Sequence, residues 1–248
     1  MTNRDDTAAT CNIAAAGDTT LVVTLGQTLD RAVSRRVLRL ADQILSSRRP
    51  GVREVVPTAA ALAVHFDPDV VTADELTRDL ARWADAHPAA AGSATVTAPR
   101  QWSIPVCYER EVADDLDAVA AATGLGRDEV IGRHAAATYY VYMLGFLPGF
   151  PYMGDLDPRL VLPRRATPRT RVAAGAVAVA GAMTAIYPAE SPGGWHILGR
   201  SPVRLFDPAR ASPSLLGAGD LVTFRPITLA ELERLWRAPD GGARGAEA

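Results

Sequence analysis

Apolar and polar positions follow two rhythms in the first hundred residues. Residues 21–25 are a short apolar, β-branched run that reads as a strand. A helix is predicted next, with Leu29, Val33, Val37, Leu40 and Ile44 at helical spacing and arginines on the other face. Arg49, Pro50 and Gly51 break it. Strands are predicted over residues 52–57 and 61–66, where Leu62, Val64 and Phe66 share a face and His65 points away from them, toward solvent. Asp67, Pro68 and Asp69 turn the chain. Thr72 with Glu75 forms a capping box for a second helix striped by Leu76, Leu80 and Trp83, with His87 at its end. The following HPAAAGSATVTAPR holds one weak strand in a linker-like composition. The order is β-α-β-β-α-β, a ferredoxin-like arrangement over residues 18–98, preceded by a flexible leader at 1–17.

The second half is punctuated differently. An apolar strand is predicted over 102–108, with Pro105 at a sheet edge. Asp114 or Asp115 caps a helix through Leu116, Val119 and Ala120, ended by Gly124, and a short helix covers 127–137. A run of short strands follows, then a hairpin at 217–224. Thr228 and Glu231 cap a last helix with Leu232, Leu235 and Trp236, and the tail from Pro239 reads as disordered. Short strands about ten residues apart argue for a barrel or sandwich over 101–227, followed by a C-terminal helix and tail at 228–248. The fold class is α+β.

Residues 139–207 hold nine of the fifteen aromatic residues, with eight prolines, eight glycines and seven arginines. Helix interiors exclude Pro and weaken at Gly, so this stretch reads as strands joined by defined turns. GFLPGF sets Phe146 and Phe150 around Pro148 and Gly149, and Tyr152 follows. SPGGW repeats the device with Pro192, Gly193, Gly194 and Trp195. Two readings fit: tight hairpins with anchoring rings, or backbone that approaches a ligand while the rings wall it in.

Composition narrows the chemistry. Net charge is −2, so no basic field argues for nucleic acid or an anionic membrane. No run of eighteen apolar residues occurs, and acids stand where a signal peptide needs bases; a cytoplasmic location is expected. Cys11, in the leader, and Cys107, in an apolar run, make no metal spacing, and no metal site is expected. All 26 basic residues are arginine. Without lysine there is no Walker A lysine, Schiff base or biotinylated carrier lysine.

His134 lies on the apolar side of its helix, either as a satisfied core histidine or as an acid–base group facing a pocket. Arg164, Arg169 and Arg200 are either solvated or, beside Phe146, Phe150, Tyr152, Tyr187 and Trp195, the forks of an apolar-walled anion site. No Ser-His-acid triad is present.

GFLPGFPYMGDLDPRL, PRRATPR, AAGAVAVAG, IYPAESPGGWHILGRSP and LFDP together resemble the family of 5-oxoprolinase B subunits, also named KipI-like kinase A inhibitor and allophanate hydrolase subunit 1. The resemblance runs from about Gly17 to Ile227. It implies a cyclophilin-like barrel and a subunit of an ATP-dependent 5-oxoprolinase acting on a small cyclic amide. ATP with Mg²⁺ is then held with or by a partner, and the partners are a C subunit of the biotin-dependent-carboxyltransferase type and an A subunit. The two ring-bearing turns, GFLPGF and SPGGW, are expected to lie together at one mouth of such a barrel, with substrate contacts from Phe146, Pro148, Gly149, Phe150, Tyr152, Arg164, Arg169, Tyr187, Pro192, Gly193, Gly194, Trp195 and Arg200 and with His134 catalytic. Inhibition of a sensor histidine kinase and a carboxyltransferase or allophanate-hydrolase role are the alternatives. Ala173, Ala176 and Met183 depart from the family pattern, which has Pro, Ser and a polar residue there.

Overall fold

The computed structural model describes residues 11–86, 99–238 and 241–246. The chain is α+β and divides into two compact units, residues 1–97 and 98–248.

In the first unit, β1 (Asn12–Ala15), β2 (Thr20–Thr24), α1 (Arg31–Ser47), β3 (Val52–Pro57), β4 (Ala61–Phe66) and α2 (Ala73–Asp85) follow in order. The strands form an antiparallel sheet ordered β1-β2-β4-β3. The two periodicities meet in one core, where Val23, Leu62, Val64 and Phe66 pack with Val37, Leu40, Ile44, Leu76 and Leu80. Asp30 caps α1 by accepting from the amides of Ala32 and Val33, and Thr72 with Glu75 forms the expected capping box on α2. His65 is half-buried, not solvated, and hydrogen-bonds Thr20 at 2.9 Å.

The leader is also corrected. Asn12–Ala15 pairs with β2 along four residues, and Cys11 packs partly against the core. β2 would otherwise present an open edge, and ladder hydrogen bonds supply what the weakly apolar NIAA sequence lacks. The weak strand expected after α2, and His87, lie outside the described residues.

The second unit runs β5 (Gln101–Cys107), α3 (Leu116–Thr123), α4 (Arg127–Ala136), β6 (Thr138–Leu144), β7 (Pro151–Gly154), β8 (Arg169–Val172), β9 (Ala176–Ala180), β10 (Met183–Ile186), β11 (Ser191–Gly193), β12 (His196–Arg200), β13 (Leu221–Ile227), α5 (Leu229–Trp236) and β14 (Arg244–Ala246). Seven strands ordered β12-β9-β10-β7-β6-β13-β5 close into a barrel, because Arg200 of β12 pairs back with Cys107 of β5. Residues from all of them fill the interior, among them Ile104, Tyr139, Val141, Met153, Val177, Val179, Ile186, Leu198 and Phe224. Leu116 and Val119 of α3 and Val130 of α4 join this core. β8 and β11 form a separate two-stranded sheet.

Three expectations change. β13 makes no hairpin; it runs parallel to β5 over seven residues and antiparallel to β6. Pro105 is not at an open edge. It falls where β5 passes from pairing with β14 to pairing with β12, in an interrupted part of the ladder. The tail carries an ordered strand, β14, against Gln101–Ser103.

Candidate functional site

Alternation along β9, β10 and β12 sends Val177, Val179, Ile186 and Leu198 into the barrel. Ala176, Ala178, Ala180, Ala185 and Ile197 therefore face the outer wall. Small side chains leave room there for rings. Phe150 and Trp195 sit edge to face with centroids 6.0 Å apart, and Phe150 and Tyr187 at 5.1 Å. Tyr152 adds contacts to Phe150 at 4.9 Å and to Trp195 at 6.0 Å. GFLPGF and SPGGW thus meet, as the pairing of ring-bearing turns suggested. They meet on the outer wall, not at a barrel mouth, because the residues under them point outward.

The rings fill the space between the two turns. Phe150, Tyr187 and Trp195 are buried, Tyr152 is half-buried, and Phe146 is 62% exposed. Phe146 also holds a φ of +69°, a left-handed conformation unfavourable to a side chain with a Cβ. Pro148 and Pro192 are exposed. Gly149, at φ +76°, lies against Phe206, where a Cβ would come within 2.9 Å. At Gly193 a Cβ would lie 2.3 Å from the Tyr187 hydroxyl oxygen. Gly194 accepts the Arg165 amide at 2.8 Å. Burial raises the Tyr187 pKa above its ordinary value, against the opposing charge of Arg164 and the Trp195 amide.

Asp115 organises the arginines. It stands at the N-cap of α3 yet makes no capping bond. Its Oδ1 accepts from Arg165 at 2.6 Å and Arg169 at 2.8 Å, and its Oδ2 from Arg169 at 2.8 Å and the Ile197 amide at 2.7 Å. Burial alone would raise its pKa, but Arg169, the Ile197 amide and Arg165 together hold it below the usual value. Arg169 is therefore held by a carboxylate whose single charge it shares with Arg165. Arg164 is exposed near Tyr187, and neither it nor Arg200 has an acidic partner among the described residues.

His134 does not face a pocket. It is fully buried, hydrogen-bonded to the Tyr108 hydroxyl at 2.8 Å and to Thr184 Oγ1 at 2.9 Å, and stacked on Phe224 at 4.8 Å. Burial lowers its pKa to about 3, so the ring is neutral. The expected acid–base role has no route to a substrate in this arrangement. His196 is half-buried and bonds the Pro163 carbonyl at 2.9 Å.

Residues 11–216 match the family described as carboxyltransferase domain, subdomain C and D. The chain belongs to this family. The B subunit of 5-oxoprolinase from Bacillus subtilis (strain 168) is 35% identical over 222 residues, which is 86% of this chain and 91% of that protein. The crystal structure of TTHA0988 superposes with a TM-score of 0.73 at 38% identity over 84% of this chain; the match spans only 40% of that longer chain. The urea amidolyase of K. lactis shares the fold alone, with a TM-score of 0.78 at 23% identity over 98% of this chain and 17% of its own.

In this carboxyltransferase-domain protein a cleft of about 450 Å³ adjoins the ring wall. Val172, Ala176 and Ile197 belong to both. Ala173 and Ala176, two of the three departures from the family pattern, line it, as do Arg171, Glu190 and Arg200. Sequence reasoning missed Asp115 and Arg165, whose roles depend on a contact across 50 residues. It also read Trp236 as a helix stripe, whereas its ring lies 4.7 Å from the Arg200 guanidinium. An acid beside a helix start carries the signal of a cap and nothing that points to Arg169.

Proposed function

We propose that this chain is the B subunit of a heteromeric, ATP-dependent 5-oxoprolinase, working in the cytoplasm with a C subunit of the biotin-dependent-carboxyltransferase type and an A subunit. One observation carries the reading. The two turn segments that hold the likeness to 5-oxoprolinase B subunits converge on one wall, with Phe150 and Trp195 6.0 Å apart. On this reading residues 18–98 are a ferredoxin-like domain, 101–227 a cyclophilin-like barrel, and 228–248 a C-terminal helix and tail.

The reaction takes 5-oxoproline, ATP and water to glutamate, ADP and phosphate. A lactam carbonyl is a poor electrophile. Transfer of the γ-phosphoryl group to its oxygen activates the carbon; one water adds there and the C–N bond opens to an acyl phosphate, which a second water hydrolyses to glutamate and phosphate. Phe146 and Tyr152 offer ring surface to the flat lactam. Arg164, exposed and without a carboxylate partner among the described residues, is placed to offset developing negative charge. Among the described residues no three His, Cys, Asp or Glu gather as a metal site, and the chain has no lysine for a phosphate. ATP and Mg²⁺ are therefore assigned to a site shared with, or supplied by, a partner subunit.

Reconstitution tests this. Purified chain with ATP and 5-oxoproline should release no glutamate alone and should release it with the C and A subunits. Release by the lone chain, or none from the full set, overturns the reading. A carboxyltransferase role is the second reading, supported by the fold likeness to urea amidolyase.

A further inference from the structure

We propose that the cleft of about 450 Å³ beside the ring wall binds an α-amino acid in its zwitterionic form, a charge pattern that suits ring-opened glutamate and not the lactam. The proposal rests on the 5-oxoprolinase reading only for the identity of that amino acid. The volume lies within the roughly 300–1,000 Å³ typical of small-molecule sites.

One part of the lining is a prepared anion receptor. Arg200 Nε donates to the Ala174 carbonyl at 3.0 Å, and the guanidinium carbon lies 4.7 Å over the Trp236 ring. These two contacts fix the plane of the fork before any ligand arrives. Arg200 is half-buried, and no carboxylate pairs with it among the described residues. Nothing in the described part of the protein neutralises it. Its neighbour in the cleft, Arg171, is paired with Glu190 at 2.6 Å and is satisfied.

The same lining also carries negative charge. Glu111 and Asp114, on the segment between β5 and α3, line the cleft, and neither forms an ion pair or side-chain hydrogen bond among the described residues. Val112, Val172, Ala176 and Ile197 give the lining its apolar part. With Arg171 and Glu190 cancelling, the lining carries, among the described residues, one unpaired guanidinium, Arg200, and two unpaired carboxylates, Glu111 and Asp114, the latter also within the electrostatic reach of Arg169. A simple anion would meet the fork and two repelling charges, and a simple cation would leave the fork unused. A ligand with a carboxylate and an ammonium satisfies both kinds of charge. In 5-oxoproline the nitrogen is a neutral amide. Opening the ring makes it an ammonium, so the charge that completes the fit appears only in the product; the second carboxylate formed with it is left to the solvated side of the cleft, where Arg171 is exposed. The cleft holds glutamate after chemistry.

Calorimetric titration of the full chain tests this with glutamate, 5-oxoproline and glutarate, which lacks the ammonium. Glutamate should bind saturably, and both other compounds at least tenfold more weakly. Arg200→Lys and Trp236→Leu should each weaken glutamate at least fivefold, since charge without a held fork is not enough. The double change Glu111→Gln with Asp114→Asn should abolish the preference for glutamate over glutarate. All these positions are at least partly exposed, and circular dichroism checks that each variant folds. No saturable binding of any amino acid, equal binding of the lactam, or binding indifferent to these substitutions overturns the proposal. A different amino acid binding with the same dependence upholds the cleft and removes glutamate from it, while reconstitution alone decides the oxoprolinase reading. Glutamate release by the assembled subunits while the lone chain binds no amino acid keeps that reading and discards the cleft.

Discussion

Arg169 and Asp115 meet as a bidentate pair, with both guanidinium nitrogens 2.8 Å from the two carboxylate oxygens. Arg169 opens β8 and Asp115 stands at the start of α3, so the pair ties the small β8–β11 sheet to the helix. Arg165 and the Ile197 amide complete the set on the same carboxylate.

Removing this carboxylate should be costly. Asp115→Ala leaves two partly buried guanidiniums and one amide without an acceptor, and a loss of about 3 kcal/mol is expected. Asp115→Asn should lose less but should also flatten the acid limb. Because the folded carboxyl titrates below its ordinary value, its stabilisation is complete above about pH 4 and disappears as pH falls through the folded pKa. Urea midpoints of wild type and Asp115→Asn between pH 3 and 7, followed by tryptophan fluorescence, check both statements.

His134 predicts a second, separate pH effect. Its folded pKa of about 3 lies below the ordinary value near 6.5, so below pH 6.5 the unfolded chain takes up a proton that the folded chain refuses. Stability should fall on acidification from pH 6.5 by up to about 1.4 kcal/mol per pH unit. His134→Phe should remove that slope while lowering stability at pH 7, since the Tyr108 hydroxyl and Thr184 lose their partner. Denaturation curves at pH 5, 6 and 7 decide it; an unchanged slope in the variant would contradict the assignment.

Gly193 and Tyr187 should be coupled. A Cβ at Gly193 lies 2.3 Å from the Tyr187 hydroxyl and 2.9 Å from its ring carbon Cζ, so Gly193→Ala should cost about 1–3 kcal/mol by overpacking. Adding Tyr187→Phe removes the closest contact and leaves the other, so the double variant should recover part of the loss. A double-mutant cycle on melting temperature measures the coupling, and strict additivity would refute it.

Phe146 tests the separation of stability from function. The exposed ring is held at φ +69°, so Phe146→Gly should relieve strain and raise stability by about 1 kcal/mol. If the proposed function holds, the same change takes a ring from the lactam site and should lower glutamate release by the assembled subunits at least tenfold. A variant that is both stabilised and fully active would remove Phe146 from the site.

The first unit was largely legible because its signals are local. Helical spacing from Val33 to Ile44, alternation over Leu62, Val64 and Phe66, and the Thr72–Glu75 capping box each lie within one element; Leu29, read into the same stripe, lies ahead of α1 and is exposed, and Arg36, read onto the polar face, is buried. The strand at Asn12–Ala15 was not legible, because its reason is the open edge of β2 and not its own composition.

In the second unit, the order of residues was enough to mark 139–207 as strands and ring-bearing turns, and to exclude lysine as the partner of any anion. Which rings and arginines share a surface was settled only by folding. Barrel closure pairs Arg200 with Cys107 and lays β13 parallel to β5, contacts between segments far apart in the chain that no local period records. The outward turn of the alanines on β9 and β10 then brings Phe150 to Trp195, while Asp115 takes up Arg169 and leaves Arg200 to Trp236. A guanidinium has the same sequence signature whether a carboxylate neutralises it or not; only its neighbours in space tell the two apart.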